Sequence, residues 1–165
     1  MQNSLSRRRF MLCASTIAAG GLCRLSSLGA QEPRAAASAK IAWQDVREWG
    51  VEGKGWPDTE KFYDRLPARA KGKVRDAVWN LSRHSAGMLT RFRTDAHEIW
   101  VDYEVTSKNI AMPHMPATGV SGVDLYADIG DGDLRWLSVT RPTSEHTSAP
   151  LISELAPGTR AYTAY

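Results

Sequence analysis

Ser82 and His84, two residues apart with Ser85 beside them, are the nearest approach in this chain to a nucleophile and its general base. On a strand, residues i and i+2 share a face, so hydroxyl and imidazole would point the same way. Acyl-transfer chemistry also needs a carboxylate that orients the ring. The residues three before His84, His97, His114 and His146 are Leu81, Thr94, Ala111 and Thr143, so no Asp-x-x-His pair exists. Gly-Asp-Ser and Gly-x-Ser-x-Gly, two turns that present a reactive serine, are absent as well. Gly130-Asp131-Gly132-Asp133 has carboxylates without a serine and sits where a hairpin turn is needed. Ser82, His84 and Ser85 are therefore expected to satisfy backbone groups in a turn between strands.

Met112-Pro113-His114-Met115 joins two thioethers to an imidazole, a set of soft ligands suited to copper. Three ligands within four residues around a proline make poor geometry for a closed site, so packing by the methionines is the expectation. No spacing matches a zinc site, and no cofactor is expected. Six tryptophans, Trp43, Trp49, Trp56, Trp79, Trp100 and Trp136, give two readings. Core burial is the first; stacking on sugar faces is the second. Trp100 shares a strand face with Asp102 and Glu104, a face that is either solvated or meets another domain. Together with His84 and His114 it is a candidate ligand or domain contact.

The elements that must position these groups are strands. Glu98 to Val105 alternates, with Ile99, Val101, Tyr103 and Val105 on one face and Trp100, Asp102 and Glu104 on the other. Further strands are expected at Ala77–Leu81, Met88–Arg93, Val123–Ile129, Leu134–Thr140 and Arg160–Tyr165, divided by Ser85-Ala86-Gly87, Thr94-Asp95-Ala96, Gly130-Asp131-Gly132 and Pro157-Gly158. Ala68 to Asp76 is rich in Ala, Lys and Arg, but Gly72 and the lack of an apolar stripe reduce it to a turn. An all-β antiparallel sandwich, jelly-roll-like, follows. In Val123 to Asp128 the alternation puts Val123, Leu125 and Ala127 on one face and Asp124, Tyr126 and Asp128 on the other. Asp124 is expected to accept backbone N–H bonds at the strand start or to meet another domain.

With 165 residues and 42% hydrophobic content, the chain suits one domain with its own core. Its pI of about 9.0 suggests acidic partners until the charges are placed. Residues 1–30 hold Arg7, Arg8, Arg9 and Arg24 and no acid; the 21 basic residues less these four leave 17, against 18 acidic ones. A near-neutral domain lacks the basic footprint of nucleic-acid binding.

Those first thirty residues read as an export signal. Ser6-Arg7-Arg8-Arg9-Phe10-Met11 leads into a weakly apolar run, Met11 to Leu22, broken by Ser15, Thr16, Gly20 and Gly21 and too short for a membrane span. The Arg7 and Arg8 pair with Phe10 beyond it resembles the twin-arginine signal of bacteria, which implies the twin-arginine export machinery as a partner and a periplasmic or secreted destination. Cleavage is expected after Ala30, or within Ala35 to Ala39. Cys13 and Cys23 both fall in this segment, so the mature domain would have no thiol and no disulfide. The expected organisation is a signal over 1–30, an Ala-rich linker over 31–42, and a β-sandwich over 43–165.

Trp79-Asn80-Leu81-Ser82-Arg83-His84-Ser85-Ala86-Gly87 and Gly119-Val120-Ser121-Gly122-Val123-Asp124-Leu125-Tyr126 resemble the accessory domain that precedes the catalytic domain in one group of bacterial SGNH (GDSL-type) esterases. That family's Gly-x-Asp-Leu-Tyr signature is matched by Gly122, Asp124, Leu125 and Tyr126. The resemblance extends to Trp49-Gly50-Val51-Glu52-Gly53-Lys54-Gly55-Trp56 and Asp64-Arg65-Leu66-Pro67, covering nearly everything after about Lys40. It implies a downstream SGNH catalytic domain as partner and, for the full enzyme, removal of acyl groups such as acetyl from carbohydrate. The Gly-Asp-Ser and Asp-x-x-His blocks of such an enzyme are not in this chain, which is expected to be truncated before that domain. The alternative class is a free-standing exported carbohydrate- or protein-binding β module. Arg160 to Tyr165 looks like a strand stopped in mid-pattern, which predicts an exposed, adhesive edge.

Overall fold

The computed structural model describes residues 9–12, 41–130 and 132–165, the first of these by backbone alone. Arg7, Arg8, the cysteines and residues 31–40 of the expected linker lie outside the described residues. Strands β1 (Arg9–Leu12), β2 (Ala42–Asp45), β4 (Ile99–Glu104) and β7 (His146–Ile152) form one sheet in the order β2-β1-β4-β7. β3 (Thr90–Thr94), β5 (Asp124–Asp128), β6 (Leu134–Val139) and β8 (Arg160–Ala164) form a second, in the order β3-β8-β5-β6. Every ladder is antiparallel. This is the β-sandwich that the alternation predicts.

The core is built by that alternation. β4 buries Ile99, Val101 and Tyr103 and half-exposes the residues between them. Facing them from the second sheet are Leu125 and Ala127 of β5 and Tyr162 and Ala164 of β8, with Val123 just before β5, Leu151 of β7 and Val46 completing the cluster. β-branched and aromatic residues at every second position suit a half-buried pleated surface. Phe92 links Trp49 to Tyr162, with ring centroids 5.4 and 5.6 Å away.

Several expectations are corrected. Ala77–Leu81 is not a strand but part of helix α2 (Asp76–Ser82). Its Ala, Trp and Leu alternate, yet the helix buries Trp79 and Ser82, three residues apart, and leaves Leu81 63% exposed. Tertiary capping decides the outcome: Arg65 donates from its backbone N–H to Ser82 O (2.8 Å) and from Nη2 to Leu81 O (2.7 Å), satisfying carbonyls at the helix end. Two further short helices, α1 (Val46–Trp49) and α3 (Ala117–Ser121), had no periodic signal. The Ala68 segment holds a single 3₁₀ turn, Ala68–Ala70. β7 was also missed, because Pro150 argues against a strand; it is tolerated because β7 is an edge, and the β4–β7 register shifts between Ile99 and Trp100, beside Pro150. Arg160 to Ala164 is not an edge: β8 lies between β3 and β5, and both flanks of its backbone are paired.

Candidate functional site

The signature residues occupy one short path from the end of α3 into β5, and each has its own physical reason. Gly122 has extended backbone, φ −76° and ψ 164°, which any residue can adopt. Space is what demands glycine here: a Cβ would lie 2.2 Å from Thr118 O and 2.9 Å from Val139 Cγ2. The next residue is held by a buried relay. Val123 N–H donates to Thr140 Oγ1 (2.8 Å), Thr140 lies 2.8 Å from the Tyr103 hydroxyl, and that hydroxyl donates to Ser121 O (2.8 Å). The relay ties β4, β6's end and the signature turn together across the core. Leu125 is fully buried.

Asp124 and Tyr126 face outward, as the alternation predicts. Asp124 Oδ1 accepts from the indole N–H of Trp136 at 2.9 Å; of the two roles expected for it, backbone amides or another domain, the side-chain bond seen is to neither. Tyr126 stands opposite Trp136 on β6 and Thr163 on β8, and its ring meets Tyr165 edge-on at 5.4 Å. Asp124 and Tyr165 also exchange backbone hydrogen bonds of 3.2 and 3.0 Å, continuing the ladder past β8. The product is an aromatic ledge: Trp136 is 55% and Tyr165 41% exposed, with the Asp124 carboxylate between sheet and indole. Beside it Arg91, Arg93, Asp128 and Thr163 rim a shallow depression of about 170 Å³. Flat exposed rings suit stacking on a second surface, and the Asp124 carboxylate keeps acceptor capacity beyond the one bond the indole donates to it. The sequence offers Trp136 as one of six tryptophans that could be buried or stack on sugar, with Trp100 preferred, and gives Tyr165 no role beyond its strand. The Gly130–Gly132 hairpin would have paired Tyr126 with Trp136; the register shifts between Leu125 and Tyr126, a bulge with no sequence mark.

The other candidates are dispersed. Ser82 is buried at the end of α2, its Oγ donating to Trp79 O at 2.7 Å, while His84 is exposed beyond it. The pair lies neither on a strand nor in a turn between two strands; the serine hydroxyl is committed to a backbone carbonyl of its own helix. His114 is exposed at the tip of a tight turn closed by Met112 N–H to Met115 O (2.9 Å) and the reverse bond (3.1 Å). The methionines are not in the core: Met112 is 47% and Met115 39% exposed, the latter lying over Gly119. Among the described residues no group of three or more His, Cys, Asp or Glu side chains is arranged to hold a metal. Trp100 is half-buried, its Nε1 donating to Glu98 Oε2 at 2.6 Å. Core burial fails for half of the tryptophans, while Trp49 is half-buried against the core. Trp79 is buried, whereas Trp43, Trp56 and Trp136 are exposed, each an amphipathic ring that tolerates a wet face; Arg69 covers Trp56 at 4.9 Å.

The resembling Asp64-Arg65 turn is structural. Asp64, 1% exposed, accepts from Lys61 N–H at 2.9 Å and pairs with Arg83 Nε at 3.3 Å. Arg83 also pairs with Glu60, which Lys71 reaches at 2.6 Å. Hydrogen bonds from Lys71 first and Arg83 second hold the Glu60 carboxyl below its ordinary value of 4.5.

Fold and ledge together define a β-sandwich module with one decorated sheet face. The model of the GxDLY family, described as the N-terminus of SGNH-hydrolase-type esterases, matches residues 41–165, and the chain belongs to that family. A crystal structure of a protein from Bacteroides ovatus, described as a GDSL-like lipase, is similar in fold: TM-score 0.66, 22% identity, over 73% of this chain. The match spans 35% of that protein, so this chain corresponds to about a third of it. No curated protein matches in sequence.

Proposed function

We propose that this domain is the non-catalytic accessory part of an exported SGNH-type ester hydrolase that removes acyl groups, acetyl above all, from carbohydrate, and that the Asp124–Trp136–Tyr126–Tyr165 ledge is where the hydrolase domain docks. The observation that carries the reading is that two of the four family signature residues, Asp124 and Tyr126, point away from the core into that ledge. Gly122 and Leu125 answer to packing inside the fold, whereas Asp124 and Tyr126 hold the exposed Trp136 and Tyr165 rings, where a partner surface can reach them. The export half rests on the Arg7 and Arg8 pattern alone.

Reading the gene past the Tyr165 codon tests the partnership. An open frame running into a Gly-Asp-Ser block with a later Asp-x-x-His supports it, and an immediate stop overturns it. A second reading, a free-standing carbohydrate-binding module, is favoured by the exposed Trp136 and Tyr165 rings. Under it, titration with an acetylated oligosaccharide quenches tryptophan fluorescence in the wild type and leaves Trp136→Ala unchanged.

A further inference from the structure

Arg9–Leu12 falls within the stretch whose sequence reads as an export leader, yet its backbone is an internal strand of the first sheet. It pairs antiparallel with both neighbours over all four residues. Phe10 and Leu12 occupy the register positions of Val101 and Ile99, two fully buried core residues, and Met11 those of Trp43 and Trp100. Arg9 stands opposite Asp45 on one side and Asp102 on the other, a basic residue in register between two acidic ones. Among the described strands β2 pairs with β1 alone, whereas β4 keeps β7 on its far side; outside that ladder β2 is held by α1, which follows it, and by the bond from Trp49 Nε1 to Gln44 Oε1 (2.7 Å).

We propose that the space between β2 and β4 is a strand-acceptor site, that its occupant is the chain's own leader segment Arg9–Leu12, and that cutting the chain behind this segment allows it to leave, freeing the β2 arm and opening the β4 edge. An added strand of this kind draws its affinity from main-chain hydrogen bonds and its selectivity from the residues at alternate positions, here two apolar ones in register with Val101 and Ile99 of β4 and a cation in register with Asp45 and Asp102. The leader is thereby docked on the domain it precedes. The proposal does not rest on the hydrolase partnership.

Hydrogen exchange on the full chain reads it directly, because protection of Ala42–Asp45 depends on β1. Met11→Pro cannot donate to a central ladder, and it is expected to speed exchange in Ala42–Asp45 at least about tenfold while β5 and β6 stay protected; Met11→Val keeps the wild-type rate. Arg9→Glu puts like charges in register and leaves the apolar positions intact, so it decides the matter even where Met11→Pro unfolds the whole domain; about a threefold loss of protection at β2 is expected. In a chain with a protease site inserted between residues 31 and 40, the cut leader fragment is expected to co-elute with the domain and, on dilution, to separate with loss of β2 protection. Equal exchange of Ala42–Asp45 in wild type and Arg9→Glu overturns the proposal, as does a fragment that leaves while β2 stays protected.

Discussion

Gly122 and Asp124 show how adjacent parts of one signature answer to different forces. At Gly122 the constraint is steric, since the missing Cβ would sit 2.2 Å from a carbonyl oxygen. Gly122→Ala is therefore expected to destabilise the domain by about 1–3 kcal/mol, as overpacking does, measured as a shift of the urea midpoint at unchanged slope. Tyr103→Phe removes the hydroxyl that bridges Ser121 O and Thr140 inside the core and should cost about 1–3 kcal/mol, the penalty for unpaired buried polar groups. At the ledge the stakes are smaller because water replaces what is lost. Trp136→Phe, which deletes the donor to Asp124 and keeps a ring, should cost no more than about 1 kcal/mol. The ledge can thus be altered with little harm to the fold, and that is what lets the docking role proposed for it be tested by substitution.

Elements were legible where one face meets the core and one meets water. β4 and β5 could be placed from sequence because their side chains alternate between burial and exposure. The outward direction of Asp124 and Tyr126 followed from the same period. α2 was not legible, because Ala77, Trp79 and Leu81 imitate a strand and the groups that close the helix, on Arg65, lie 16 and 17 residues upstream of the carbonyls they bind. Trp136's role was hidden because nothing in the sequence sets it apart from the other five tryptophans, and β1 was hidden by the leader-like composition around it. The α2 region also carries a pH signature. Glu60 has a lowered folded value, so its contribution is present above the unfolded value of 4.5 and is lost as pH falls through the lower folded one. Thermal melts from pH 6 to pH 3 should show the wild type losing its advantage over Glu60→Gln below about pH 4.5.

At the scale of the whole molecule, the described residues form a scaffold with the serine and histidines dispersed and no metal-binding cluster. The full chain is expected to hydrolyse p-nitrophenyl acetate no faster than a boiled control; turnover abolished by a serine reagent would contradict the accessory reading. Replacing both Arg7 and Arg8 by Lys is expected to stop export of a fused reporter, and unchanged export would count against the twin-arginine route. The placement of β8 between β3 and β5 has a further consequence, in the order of events during synthesis. β3 and the β5–β6 hairpin leave the ribosome earlier, but nothing joins them in the second sheet until Arg160–Ala164 has emerged. A nascent chain stalled before that point displays two unjoined halves with open edges, so the second sheet closes only when the last strand described has been made and released.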